Sequence, residues 1–265
     1  MQNIKKARIW AILNLIGAAL MLTANSLANA LPINNYNTGQ VSDFYPNLFA
    51  PAGITFSIWG LIYLLVIGFV IHGLVAAFKS NEQTHSKIAA IGPWFFISCM
   101  ANAGWIFAWH YLYISLSVVI MLLILGSLII IYLRIHADPF PRSFPEKLSL
   151  RWPFSIYLAW ITIATVANIT AFLVDLGWTR LGLSEDFWLS TMIGIAVLIS
   201  ALFVLRMRDS AYAWVIVWAL TGIVIKQNSL GNNHLTGYYM AIAGIVIVAV
   251  LGGMMAFKKT KPHQL

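Results

Sequence analysis

Long stretches almost without charge recur along this chain, and they limit its fold more than any other feature. Eight windows, approximately 9–31, 53–78, 91–110, 112–134, 153–174, 187–205, 211–229 and 235–257, approach or exceed the ~20 apolar residues that a helix needs to cross a bilayer. The seventh is the most interrupted, because its apolar run stops at Ile225, before Lys226, Gln227 and Asn228. Only 9% of the residues are charged and 60% are hydrophobic, whereas a soluble domain carries about a quarter charged residues. With a mean hydropathy of +0.82, such a chain is solvated by lipid. The connections are short, so the expected fold is all-α: a polytopic membrane helix bundle of about eight transmembrane helices.

The net charge of +8 could suggest nucleic acid, but its distribution explains it otherwise. Lys5, Lys6, Arg8, Lys79, Lys87, Arg134, Arg142, Lys147, Arg151, Arg206, Arg208, Lys258, Lys259 and Lys261 all fall on one side of the eight windows. Those are 14 of the 16 basic residues; Arg180 falls on the other side and Lys226 within a window. The positive-inside rule then places both termini in the cytoplasm. Asp43, Asp175, Glu185 and Asp186 lie on the opposite side. The basicity is a topology signal, the expected surroundings are a lipid bilayer of the bacterial inner (plasma) membrane type, and no nucleic-acid partner is implied.

Several chemistries find no support. Cys99 is the one cysteine, so no intrachain disulfide can form. There is no phosphate-cradling glycine loop, paired-histidine motif or nucleophile elbow, and His72 and His110 stand alone near span ends. No catalytic residue, metal ligand or obligatory cofactor is assigned. Residues 1–30 also read as a signal sequence, with Ala28-Asn29-Ala30 as a small-x-small cleavage site. The long apolar run, interrupted by Asn14, favours a retained span; cleavage would leave seven spans and the same topology.

The candidate site residues cluster by spacing. Pro51 through Tyr63 opens the second window, and proline suits a first helical turn. Trp59 and Tyr63 stand four apart and share a helical face. At ~1.5 Å per residue, Trp59 lies roughly 9 Å below Gly53, deeper than a boundary ring. In the third window Asn102 and Trp105 share a face, and an amide in hydrocarbon must find a partner. In the fifth, Trp160, Ala164 and Asn168 make a stripe of ring, gap and amide that suits a flat apolar ligand with one polar edge. Helix packing alone accounts for both patterns as well, and the two readings stand open. The Asn-rich loop of residues 32–50 reads equally as a cover over a pocket mouth and as a plain connection. Trp10, Trp94, Trp109, Trp152, Trp178, Trp188 and Trp214 read as aromatic belts, and Trp218 has no evident role. Lys226 is either a snorkelling lysine or an ion or substrate group partnered by Asp175 or Asp43.

These motifs resemble the tryptophan-rich sensory proteins, also called the translocator protein or peripheral benzodiazepine receptor-like family. The resemblance covers about residues 9–174 and rests on Pro46-x4-Pro51 with Trp59-Gly60-x2-Tyr63, on Asn102-x2-Trp105, and on Tyr157-x2-Trp160-x3-Ala164-x3-Asn168. It implies a five-helix domain over 1–174, followed by three additional helices over 175–265. It also implies a pocket for porphyrins such as haem precursors, for sterols and for synthetic aromatic ligands. Trp59 and Trp160 would wall that pocket, with Ala164 at a position where enlargement disturbs binding. A homodimer is a further expectation. The chain departs from the family at Gly53 and Phe172, where tryptophans are usual, and at Ser117 and Met121. The function expected is binding, sensing or movement of a planar hydrophobic small molecule. The alternative is a secondary transporter of a small solute, built on Lys226 and the accessory helices.

Overall fold

The computed structural model describes residues 2–31, 33–79, 82–136, 144–231 and 234–257. Arg142, Lys258, Lys259 and Lys261, which enter the topology reading, lie outside the described residues, as do Pro32, Pro139 and Pro141 of the connections. The fold is all-α, and the described residues contain no strand. Its main helices are α1 (Gln2–Ala30), α3 (Ile58–Phe78), α4 (Glu82–Ile91), α5 (Trp94–His110), α6 (Ile114–His136), α8 (Trp152–Asp175), α9 (Glu185–Met207), α10 (Ser210–Ser229) and α11 (Leu235–Phe257). Short helices α2 (Thr38–Asp43) and α7 (Phe144–Glu146) lie in connections. Among the described residues, seven helices are long and apolar enough to cross a membrane. An eighth results if the bent pair α4–α5 counts as one span.

That bend corrects the third sequence window. The window runs from 91 to 110 without a break, but the structure interrupts it at Gly92 and Pro93, where the axis turns by 47°. Gly92 takes φ +60°, which a residue without Cβ adopts at little cost. Pro93 then precedes the first turn of α5, where its missing N–H is harmless. The apolar stretch from 94 to 110 is 17 residues long and needs its bent neighbour to make a full span.

The chain divides into two compact units. The first draws on residues up to Thr38 and on Trp59–Leu158. Its aromatic centre is the triad Phe69, Phe95 and Phe154, with ring centroids 4.8 to 5.8 Å apart and all edge-to-face. Near one end Ala7, Ala76 and Ile88 pack with Trp10. There Arg8 Nε donates to the Ala77 carbonyl, and Lys87 pairs with Glu146.

The second unit comprises Gly39–Ile58 and Ala159–Lys259. On α11 the buried residues Gly237, Ala241, Gly244, Val248 and Gly252 make a strip of mostly small side chains. Val197 of α9 and Ala213 of α10 approach this strip closely, as expected where helix association in lipid depends on contact rather than on water expulsion. The segment leading into α3 is stitched to α10. Ala52 N donates to the Gly222 carbonyl (3.0 Å), Trp218 Nε1 to the Thr55 carbonyl (2.9 Å) and Gln227 Nε2 to the Leu48 carbonyl (2.8 Å). Trp218, without a role in the sequence, thus anchors this segment.

Gly222 makes the stitch geometrically feasible. A Cβ there would run into Thr55 Oγ1 and stand 2.8 Å from Thr55 Cγ2 and 2.9 Å from Pro51 Cβ. We expect Gly222→Ala to lower stability by about 1–3 kcal/mol through overpacking, read as the thermal midpoint of the purified protein. Thr55→Ala in the same chain should recover part of the loss; an unchanged midpoint in Gly222→Ala would refute the close contact.

Candidate functional site

The sequence-derived site residues fall into separate groups. In the first unit the Trp59 and Tyr63 rings stack at 5.5 Å with 27° between their planes, as their four-residue spacing requires. Trp59 also meets Tyr157 edge-on at 5.8 Å. Tyr157 is fully buried, and its hydroxyl accepts a hydrogen bond of 2.8 Å from Asn102 Nδ2. Asn102 Oδ1 in turn accepts one of 2.7 Å from Asn25 Nδ2, which also donates to the Met21 carbonyl. Three helices are thereby joined through a chain of buried polar groups: Asn25 on α1, Asn102 on α5 and Tyr157 on α8. Both ends of the Asn102 amide are engaged in that chain, so Asn102 acts by holding Tyr157 behind Trp59.

Trp105 belongs to a different contact. It stacks on Trp109 at 5.4 Å, and Trp109 Nε1 donates to the Thr38 carbonyl (3.1 Å). Trp109, read as a belt residue, is buried. His110, which the sequence presents as isolated, is fully buried and fastens the segment that follows α1. Its Nδ1 lies 3.1 Å from the Ile33 carbonyl, its Nε2 lies 3.1 Å from Thr38 Oγ1, and its carbonyl accepts from Asn34 Nδ2.

Pro51, Trp160, Ala164 and Asn168 lie in the second unit. Trp160 and Asn168 are buried, Ala164 is half-buried, and Trp160 meets Phe56 edge-on at 5.9 Å. Lys226 is partly exposed and faces Asp43, with Nζ 3.9 Å from Oδ1. Asp43 is one of the two partners that the ion or substrate reading names, and the partial exposure of Lys226 fits the snorkelling reading equally, so both readings stand.

The second unit also contains a cleft that the spacing patterns do not reveal. Its floor is made by Leu48, Phe49, Leu173, Val174, Leu189 and Met192. Trp178 and Trp188 stand edge-to-face at 4.6 Å in its wall, and Arg180 and Glu185 lie at its rim. About 570 Å³ of unfilled space lies within it, open solvent included. Next to it Tyr45 is buried, and burial followed by the nearby Asp175 carboxylate raises its hydroxyl above the ordinary phenol range. None of the sequence-derived site residues lines this cleft. The signal available in the sequence was a pair of tryptophans ten positions apart across a short connection, which reads as an ordinary belt.

The model of the family described as TSPO-like protein matches residues 11–255. The chain therefore belongs to that family, and the match takes in the last three helices, beyond the stretch that carries the sequence motifs. No curated protein and no solved structure matches the chain.

Removing the Asn102 amide leaves the Tyr157 hydroxyl without its donor in a buried site. We expect Asn102→Leu to cost about 1–3 kcal/mol of stability, measured by thermal unfolding; a midpoint at the wild-type value would show that the polar chain is dispensable. Lys226→Met, by contrast, should shift the midpoint by an amount equivalent to less than about 1 kcal/mol, as expected of a partly exposed ion pair.

Proposed function

We propose that this multi-pass membrane member of the TSPO-like family binds a planar hydrophobic small molecule of the porphyrin type against the Trp59–Tyr63 wall. The observation that carries this reading is the stack itself. Two rings lie nearly parallel on one face of α3, and Tyr157 is locked behind them by the Asn102–Asn25 hydrogen bonds. A flat conjugated ligand extends such a stack, and each aromatic pair contributes about 0.5–1.5 kcal/mol beyond its area. Because Tyr157 is held from two helices, the wall is set before the ligand arrives, so less free energy is spent on ordering it.

A porphyrin or haem precursor is the ligand that the resemblance to the tryptophan-rich sensory proteins suggests, and the half-buried aromatic wall suits it. The charge distribution supports an orientation with both termini cytoplasmic. Sensing or movement of the ligand would follow from binding at this wall.

The test is a titration of the protein in phosphatidylcholine nanodiscs with protoporphyrin IX, read as the shift of the porphyrin Soret band. A saturable shift is expected, with the Kd weakened about 2- to 10-fold by Trp59→Leu and further by Trp59→Leu/Tyr63→Leu. A shift that grows linearly without saturating, or one unchanged in the double variant, overturns the reading.

A further inference from the structure

The cleft of the second unit is built for a ligand of a different kind. Its polar side chains are nearly all turned to the protein's own backbone. Asn47 Nδ2 donates to the Tyr45 carbonyl and its Oδ1 accepts from Ala50 N. Thr170 Oγ1 donates to the Val166 carbonyl, and Trp188 Nε1 donates to the Arg180 carbonyl. A molecule lying on the floor therefore meets Leu48, Phe49, Leu173, Val174, Leu189 and Met192 and finds almost nothing to hydrogen-bond.

The rim is the opposite. Arg180 Nη1 donates to Glu185 Oε1 at 2.5 Å, which occupies one edge of a guanidinium that carries five N–H donors in a fixed fork. Nearly half of the Arg180 side chain is exposed, so its other edge is open to a second acceptor. The backbone holds it there at a cost. Arg180, Leu181 and Gly182 all have positive φ, at 59°, 55° and 75°, and the first two pay the left-handed penalty of side chains with Cβ. Such strain in residues other than glycine marks positions that the surrounding contacts over-determine. Here those contacts are the Trp188 hydrogen bond and the Glu185 ion pair.

We infer that the cleft binds an amphiphilic anion, an acyl chain on the apolar floor with a carboxylate or phosphate head on the open edge of Arg180. The residues between α8 and α9 join two spanning helices, so the rim lies at the level of the lipid headgroups and the floor lies toward hydrocarbon. A cationic head would instead compete for Glu185 and strip Arg180 of its partner. A neutral head would gain only an uncharged hydrogen bond, roughly half as strong as a charge-assisted one. The site is independent of the Trp59 wall, which belongs to the other unit.

The experiment is photolabelling in phosphatidylcholine nanodiscs with a diazirine-bearing analogue of dodecanoate, followed by peptide mapping. Labelling is expected on residues 46–49, 173–174 and 189–192. Excess dodecanoate or lysophosphatidate should abolish it, the stronger of the two identifying the source as fatty acid or lipid, while dodecyltrimethylammonium should not. Arg180→Gln should cut the yield about tenfold, the equivalent of 1.4 kcal/mol, with partial recovery in Arg180→Lys. Met192→Trp, which fills the floor and leaves the rim intact, should cut it as well. Trp59→Leu should leave labelling unchanged while weakening the porphyrin titration, so the two readings fail separately. Label spread evenly over the lipid-facing residues of α9 and α11, equal competition by dodecyltrimethylammonium, or full yield in both Arg180→Gln and Met192→Trp overturns the assignment.

Discussion

Hydrocarbon offers no hydrogen-bond partner, and this structure is arranged around that deficit. Helices satisfy the backbone within each span; the side chains must find partners of their own. Hydroxyls bond back to the preceding turn, as Ser127, Thr165 and Ser200 do with the carbonyls four residues earlier. The longer polar groups bond across helices, and those bonds set which helices meet. Asn25, Asn102 and Tyr157 do this in the first unit, where a missing partner would leave an amide or phenol stranded in an apolar interior. His110 applies the same rule at a helix end, drawing the segment that follows α1 onto α5.

The two units meet the requirement by different means. The first relies on polar chains and interlocking rings, with the phenylalanine triad supplying contact and the asparagine–tyrosine chain supplying direction. The second adds closeness to its hydrogen bonds, with small residues on α11 and the notch at Gly222 on α10 letting the stitched segments approach. One helix, α8, runs through both, its residues to Leu158 belonging to the first unit and those from Ala159 to the second.

The spans were legible because charge is so costly in lipid that its absence is conspicuous, and the structural helices follow the eight windows closely. The break at Gly92-Pro93 was written in two residues with special backbone rules, but hydropathy averages over it. Spacing along one helix was equally readable, and Trp59 stacks on Tyr63 as four residues apart implies. Partners on other elements were hidden. The amide of Asn102 announced that it needed a partner, yet Tyr157 sits in an apolar run and Asn25 in a stretch that also reads as a signal sequence. The cleft was invisible because Phe49, Trp178 and Trp188 converge only through the path of connections, which local periodicity does not encode. The motifs likewise stop near residue 174, because the last helices pack through small residues rather than through distinctive ones, although the family match continues to 255.

The stitch between α10 and the segment before α3 has a temporal side. Its side-chain hydrogen bonds join residues 163 and 179 positions apart. At the ribosome, which adds roughly 5–20 residues per second, the carbonyls of Leu48 and Thr55 emerge about ten to thirty seconds before Gln227 and Trp218 exist to bond them. Over that interval helices α3 to α9 are synthesised, and the segment that will close on Gly222 is still without its partner. The second unit is thus finished late, by a helix near the end of the chain that reaches back to secure one of the earliest connections made.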